Sequence, residues 1–203
     1  TTPNKLDELS ITAPLTQQQI KTTMSCNEYE FTLKFSLADS HTDPSIYVDQ
    51  LGKAGCDDAI IGIGEQGKIA LQFNREAPSA LEAVSSAINE VSSVIPKAKL
   101  VEATPDLVGL TEIAEVIGCS RQNIRQLVIR HAPSFPEPIY SGSLNLWHLL
   151  TVLNWFEEKQ GKNFSSTIKE IAETNMQLNL IREAQKLNES FSVKLGNLLT
   201  MKQ

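Results

Sequence analysis

The sequence predicts an α+β protein of three successive units: a β-α-β-β-α-β unit, a short helix pair followed by a small hairpin, and a helical C-terminal segment. Three observations predict it. Residues 29–37 alternate, with Tyr29, Phe31, Leu33, Phe35 and Leu37 on one side, the period of a strand with one buried face. Residues 110–130 hold two short amphipathic runs joined at Gly118, the spacing of two helices that cross steeply. Residues 163–200 contain no proline and one glycine, with apolar residues at every third or fourth position.

Composition narrows the class. The chain has 203 residues, 41% of them apolar and 21% charged, as in ordinary globular proteins. Aromatics are 6%, so the cores are expected to be aliphatic. No apolar run is long enough to span a membrane, and no secretory signal is recognisable at the N-terminus. The three cysteines, Cys26, Cys56 and Cys119, are scattered without CxxC spacing, which argues against a disulfide framework or a zinc site and points to a reducing cytoplasm. The net charge of −6 alone counts against nucleic-acid binding. Its distribution answers that objection, because residues 120–131 carry three arginines and no acid.

The elements follow in order. Residues 1–27 read as a polar arm with isolated apolar residues, and Met24 is either an original start or part of that arm. After the first strand, Asp43 caps a helix over 44–54 that opens on Pro44, buries Ile46 or Tyr47, Val48 and Leu51, and stops at Gly55. A short buried strand is expected at 59–63 and another strand at 68–73, joined by the loop Gly64-Glu-Gln-Gly67. A helix over 78–95 and a strand over 99–103 complete the order. This is the split β-α-β of ferredoxin-like folds, expected over about 28–104 as a sensing or oligomerisation domain. Gly62-x-Gly64-x-x-Gly67 matches the dinucleotide fingerprint as a string, but a strand pattern follows it where the motif requires a helix.

A short link at 104–106 leads into the helix pair. Ala114 allows close approach, Gly118 ends the first helix, Ser120 caps the second, and Ile113, Val116, Ile124 and Leu127 are expected to share a core. The prolines at 133, 136 and 138 forbid a helix there. Residues 139–147 read as two short strands around a Ser-Gly-Ser tip, and 148–160 as a helix with Leu149, Val152, Leu153 and Phe156 inward. The apolar stripe beyond residue 163 needs a cover. A second copy of the same helix is the simplest one, through Leu178, Ile181, Leu187, Phe191 and Leu195; folding back on its own chain is the alternative.

The pattern Leu110-x-Glu112-Ile-Ala-Glu-Val-Ile-Gly118-Cys-Ser120-Arg121-Gln-x-Ile124-x-x-Leu127, then Phe135-Pro136-x-Pro138, then Leu146-Trp147, resembles the winged helix-turn-helix of excisionase-like and MerR-like DNA-binding proteins. The likeness covers about 107–157. It implies a domain over 105–160 whose second helix reads the major groove, a wing that touches the DNA backbone or minor groove, and a dimerisation segment over 161–203. The wing departs from that pattern, having no Lys or Arg from 133 to 147.

The candidate DNA contacts are Ser120, Arg121, Gln122, Arg125, Gln126 and Arg130, with Tyr140, Ser141 and Ser143 in the wing. Arg can pair bidentately with guanine and Gln with adenine. No catalytic constellation, cofactor site or metal site is predicted. His41, His131 and His148 lack ligand spacing, and Asp57-Asp58 reads as a solvated turn. A redox role for Cys119 is the alternative to a small buried residue. The sequence therefore predicts a cytoplasmic, non-enzymatic transcriptional regulator. It is read as a homodimeric or higher-order repressor on a pseudo-palindromic double-stranded DNA site. The alternatives are an antitoxin-like module that binds a protein partner and autoregulates its operon, and an architectural DNA-binding protein.

Overall fold

The computed structural model describes residues 26–200, a mixed α+β chain with two antiparallel sheets and seven α-helices among those residues. The expectations for the arm and for Met24 lie outside the described residues.

The first sheet contains β1 (Asn27–Ser36), β2 (Ala59–Gly62), β3 (Lys68–Ala77) and β4 (Lys99–Thr104), in the order β2-β3-β1-β4 with every pair antiparallel. Its register follows from the alternation. Pairing Phe31 with Phe73 and Leu33 with Leu71 puts every apolar residue of β1 on the face that also receives Ile69 and Ala77. That face is covered by α1 (Val48–Lys53) through Leu51, by α2 (Ala80–Val94) through Ala83, Val84, Ala87 and Val91, and by Ile171 from far along the chain. The opposite face is open and polar, with Asn74 Nδ2 donating to Glu28 at 2.7 Å, Gln72 Nε2 to Glu30 at 3.1 Å, and Lys34 paired with Glu102 at 2.7 Å.

Three details differ from the expectations. The helix over 44–54 begins as a 3-10 turn at Pro44–Tyr47, and Ile46 is exposed. The strand at 59–63 is an edge strand rather than a buried one, since β2 pairs only with β3 and leaves Ile60 73% exposed. β3 runs on to Ala77 because Arg75, a charged residue in a core-facing position, is fully paired. Its guanidinium binds Asp58 at 2.7 and 2.9 Å, Glu90 at 2.7 Å, Ser86 Oγ at 2.9 Å and the Gly55 carbonyl at 3.0 Å, and it lies over the Phe73 ring. Burial and the neighbouring Glu90 carboxylate push the Cys56 thiol up to about 12, so it stays an unreactive thiol at neutral pH. The Gly64–Gly67 loop is a hairpin between β2 and β3. Gly67 has φ 70°, and a Cβ there would lie 2.5 Å from the Ser40 backbone.

A second core gathers α3 (Leu110–Ile117), α4 (Arg121–Arg130), α5 (Leu149–Gln160) and a three-stranded sheet of β5 (Leu107–Val108), β6 (Tyr140–Ser141) and β7 (Asn145–His148), ordered β5-β7-β6. Both tryptophans sit here. Phe135, from the proline-rich segment, packs edge-on to Trp147 at 5.8 Å and to Trp155 at 4.9 Å, and Trp147 Nε1 donates to the Pro136 carbonyl at 2.8 Å.

The C-terminal segment is two helices, α6 (Ser166–Ala184) and α7 (Glu189–Thr200). α6 corrects the expectation of a free dimerisation stripe. It lies against its own chain, giving Ile171 to the first core and Ala172 to the second, and Leu178 packs against the first core instead of waiting for a partner. Polar residues fix it. Asn179 accepts from the Ala103 amide at 2.9 Å and donates to the Ala103 carbonyl at 2.8 Å, taking the place of a strand partner at the free edge of β4. The same amide donates to Asp106 Oδ2 at 2.8 Å, and Asn175 donates to the Pro105 carbonyl at 3.3 Å. Tyr29 donates to Glu170 at 2.5 Å, and burial together with that carboxylate raises the phenol above its ordinary value.

Asn179→Ala leaves the buried Ala103 amide and Asp106 carboxylate each short of a partner, a cost of about 1–3 kcal/mol per group. Calorimetry is expected to show a lower and split melting transition for this variant, the helix-pair unit melting apart from the first sheet. A single transition at the original temperature would contradict this account of the lock.

Candidate nucleic-acid interface

The helix pair is fixed at both ends by local chemistry. Glu112 reaches back to accept from the Gly109 amide at 3.1 Å at the start of α3. At its end Gly118 takes φ 73°, the Cys119 amide donates to the Ala114 carbonyl at 2.9 Å, and Lys162 Nζ donates to the Ile117 carbonyl at 2.7 Å. Ser120 then caps α4, its hydroxyl accepting from the Asn123 amide at 3.2 Å. Ile113 and Ile124 are buried where the helices meet, Ala114 allows the approach, and Val116 and Leu127 are half-buried beside them.

With Ile124, Leu127 and Val128 turned inward, the rest of α4 faces out. Ser120, Arg121, Gln122, Arg125, Gln126 and Arg130 are all exposed, as is Asn123, and none of the three arginines pairs with a carboxylate of a described residue. α4 therefore presents a largely basic and amide surface whose arginines have no carboxylate partner among the described residues. His131 is half-buried and edge-on to Trp155 at 5.4 Å, closing the helix end.

The hairpin β6–β7 brings the candidate wing residues together. Ser141 pairs with Asn145 across the strands, and Tyr140, Ser141 and Ser143 are exposed. The Tyr140 ring lies over Gly142, where a Cβ would come within 2.7 Å of the phenol oxygen. The tip offers an aromatic ring and hydroxyls, with no charge. The base of the hairpin is held by Asp106, whose carbonyl accepts from the Leu149 amide at 2.7 Å and whose carboxylate meets His148 Nδ1 at 2.6 Å.

The candidate residues on α7 and its approach are placed differently from Leu178. Ile181, Leu187, Phe191 and Leu195 are exposed, and Leu187, Phe191 and Leu195 recur at intervals of four. Three exposed apolar residues near the candidate interface escaped the sequence reading: Ile129 on α4, and Ile139 and Leu144 on the hairpin. Only Ile129 left a legible trace, because it falls four residues after Arg125 and seven after Gln122.

A cleft of about 790 Å³ separates the open sheet face from α3, lined by Glu28, Glu30, Lys34, Glu102, Glu112 and Glu115 among others. None of the exposed α4 residues lines it. The acidic residues of α3, Glu112 and Glu115, thus face the cleft, away from the arginines of α4. Cys119 is half-buried against the second core. No described helix is long and apolar enough to cross a membrane. Compared with protein-family models, curated proteins and solved structures, the chain matches none.

Proposed function

We propose that the chain is a sequence-specific double-stranded DNA-binding regulator of the winged helix-turn-helix type, with α4 in the major groove and the β6–β7 hairpin as its wing. The observation that carries the reading is α4 itself. Apart from Ile129, its exposed face is made of Arg, Gln and Asn with no internal ion pairs, in a chain whose net charge is −6. Those side chains suit base edges, where bidentate Arg–guanine and Gln–adenine pairs discriminate by about 1–3 kcal/mol each. The capped, glycine-turned joint between α3 and α4 holds that face rigidly. The uncharged wing places nearly all electrostatic attraction on α4. The strand order β2-β3-β1-β4, with both crossover helices and α6 on one side, supports a ferredoxin-like reading of the first unit.

The exposed Phe191 and Leu195 of α7, with Leu187 in the turn before it, support self-association through α7, which would pair two α4 helices about 34–36 Å apart on a two-fold site. The same residues also favour a second reading, the antitoxin-like one, in which a different protein covers them.

Two measurements test these readings. In gel shifts on a selected duplex, Arg125→Ala is expected to cost about 1–3 kcal/mol and to relax the preference at one base pair, while Arg121→Ala weakens every sequence and lowers the salt slope by about 1. Unchanged affinity in both variants removes α4 from the interface. In sedimentation at micromolar concentration, the wild type is expected to be a dimer and Phe191→Ser a monomer. A monomeric wild type rejects self-association through α7 and favours the protein-partner reading.

A further inference from the structure

Within α4 the exposed residues do not form one uniform face. A helix turns about 100° per residue. On that geometry Gln122, Arg125, Gln126 and Ile129 form a stripe that fills the central arc, about 100° wide, of the exposed face, roughly opposite the buried Ile124 and the half-buried Leu127 and Val128. Arg121 and Arg130 lie about a quarter-turn to either side of its centre, at the margins of that face. The stripe repeats at i, i+3, i+4 and i+7, the spacing with which a helix laid along the major groove reaches bases from two successive turns. It spans about 10 Å along the helix axis. That length covers about three base steps of about 3.4 Å.

Ile129 stands out in this stripe. It is 61% exposed, and every other exposed residue of α4 is Arg, Gln or Asn. A β-branched residue there contributes little to helix propensity, packs on no core, and cannot make a hydrogen bond. In the major groove one base edge carries an apolar group, the 5-methyl of thymine.

We propose that Ile129 is a specificity-determining residue that reads the methyl group of a thymine, at the end of a short sequence whose other bases are read by Gln122, Arg125 and Gln126. The flanking Arg121 and Arg130 meet the two phosphate walls and fix the register. This rests on the DNA-binding reading above and adds to it the chemistry of one base and the orientation of α4 along the groove. Excluding water from one methyl group against Ile129 changes affinity about fourfold.

The test uses the full chain. Bound duplexes are selected from random DNA, and each thymine of the preferred site is then replaced singly by deoxyuridine, which removes the methyl and leaves the pairing edge intact. At one thymine, at the end of the site away from the Gln122 contact, the replacement is expected to weaken wild-type binding about fourfold. Ile129→Ala is expected to bind the thymine site correspondingly less well and to be indifferent to deoxyuridine at that position, while Ile129→Val keeps part of the discrimination. Selection that enriches no sequence overturns the DNA reading and this inference with it. Selection that enriches a site on which the wild type is indifferent to every methyl, or on which Ile129→Ala remains as sensitive as the wild type, overturns this inference alone. The wild-type measurement stands on its own even if a variant folds poorly.

Discussion

The arrangement depends on one polar junction, the carboxylate and carbonyl of Asp106 together with the amide of Asn179. Asp106 is almost fully buried between the two cores. Its carbonyl holds the first turn of α5, one carboxylate oxygen holds His148 at the base of the hairpin, and the other holds Asn179 on α6. Asn179 in turn completes the free edge of β4 through Ala103. A buried carboxylate is costly unless every lone pair finds a donor. This one is paired only when β7 and α6 are both in place, and its residue's carbonyl only when α5 is, while the same Asn179 also holds β4. The junction therefore specifies one relative placement of the two cores, beyond what apolar contact alone would select.

That placement determines what the helix pair can present. α6 runs over the sheet on one side, and the acidic cleft lies between the sheet's other face and α3. α4, on the remaining side, stays uncovered. Carboxylates gather along the cleft, and the three arginines of α4 face solvent. The chain can thus be acidic as a whole and still offer a basic surface to a polyanion. Global acidity also disfavours loose, sequence-independent binding to a polyanion.

Much of the first unit and of the helix pair was legible in the sequence, because their signals are local. Alternation fixes a strand's buried face, and a glycine, a serine cap and an alanine fix a helix joint. Of the six residues singled out there, five are exposed on α4 and the sixth, Ser120, is its exposed N-cap. The course of α6 was not legible. Asn175 and Asn179 are polar positions within a helical apolar pattern, and both bind backbone groups of the 103–105 segment, contacts that no local spacing announces. α6 touches the sheet, α2 and α5 on different sides, so its apolar residues do not form one stripe. The extension of β3 through Arg75 was hidden for a similar reason. Its partners Asp58 and Glu90 are distant in sequence, and a lone arginine in a strand pattern looks like an end. Ile60 misled in the opposite sense, since an apolar residue on an edge strand looks like a core residue until the sheet order is known.

The central claim, that α4 and the hairpin together are the surface that meets DNA, is tested most directly by amide chemical-shift mapping of the isotope-labelled chain titrated with a selected duplex. The account predicts that the changes concentrate in residues 120–131 and 139–146, leaving the open sheet face and the cleft residues of α3 undisturbed. Changes centred on the cleft or on α7, with α4 silent, would contradict it.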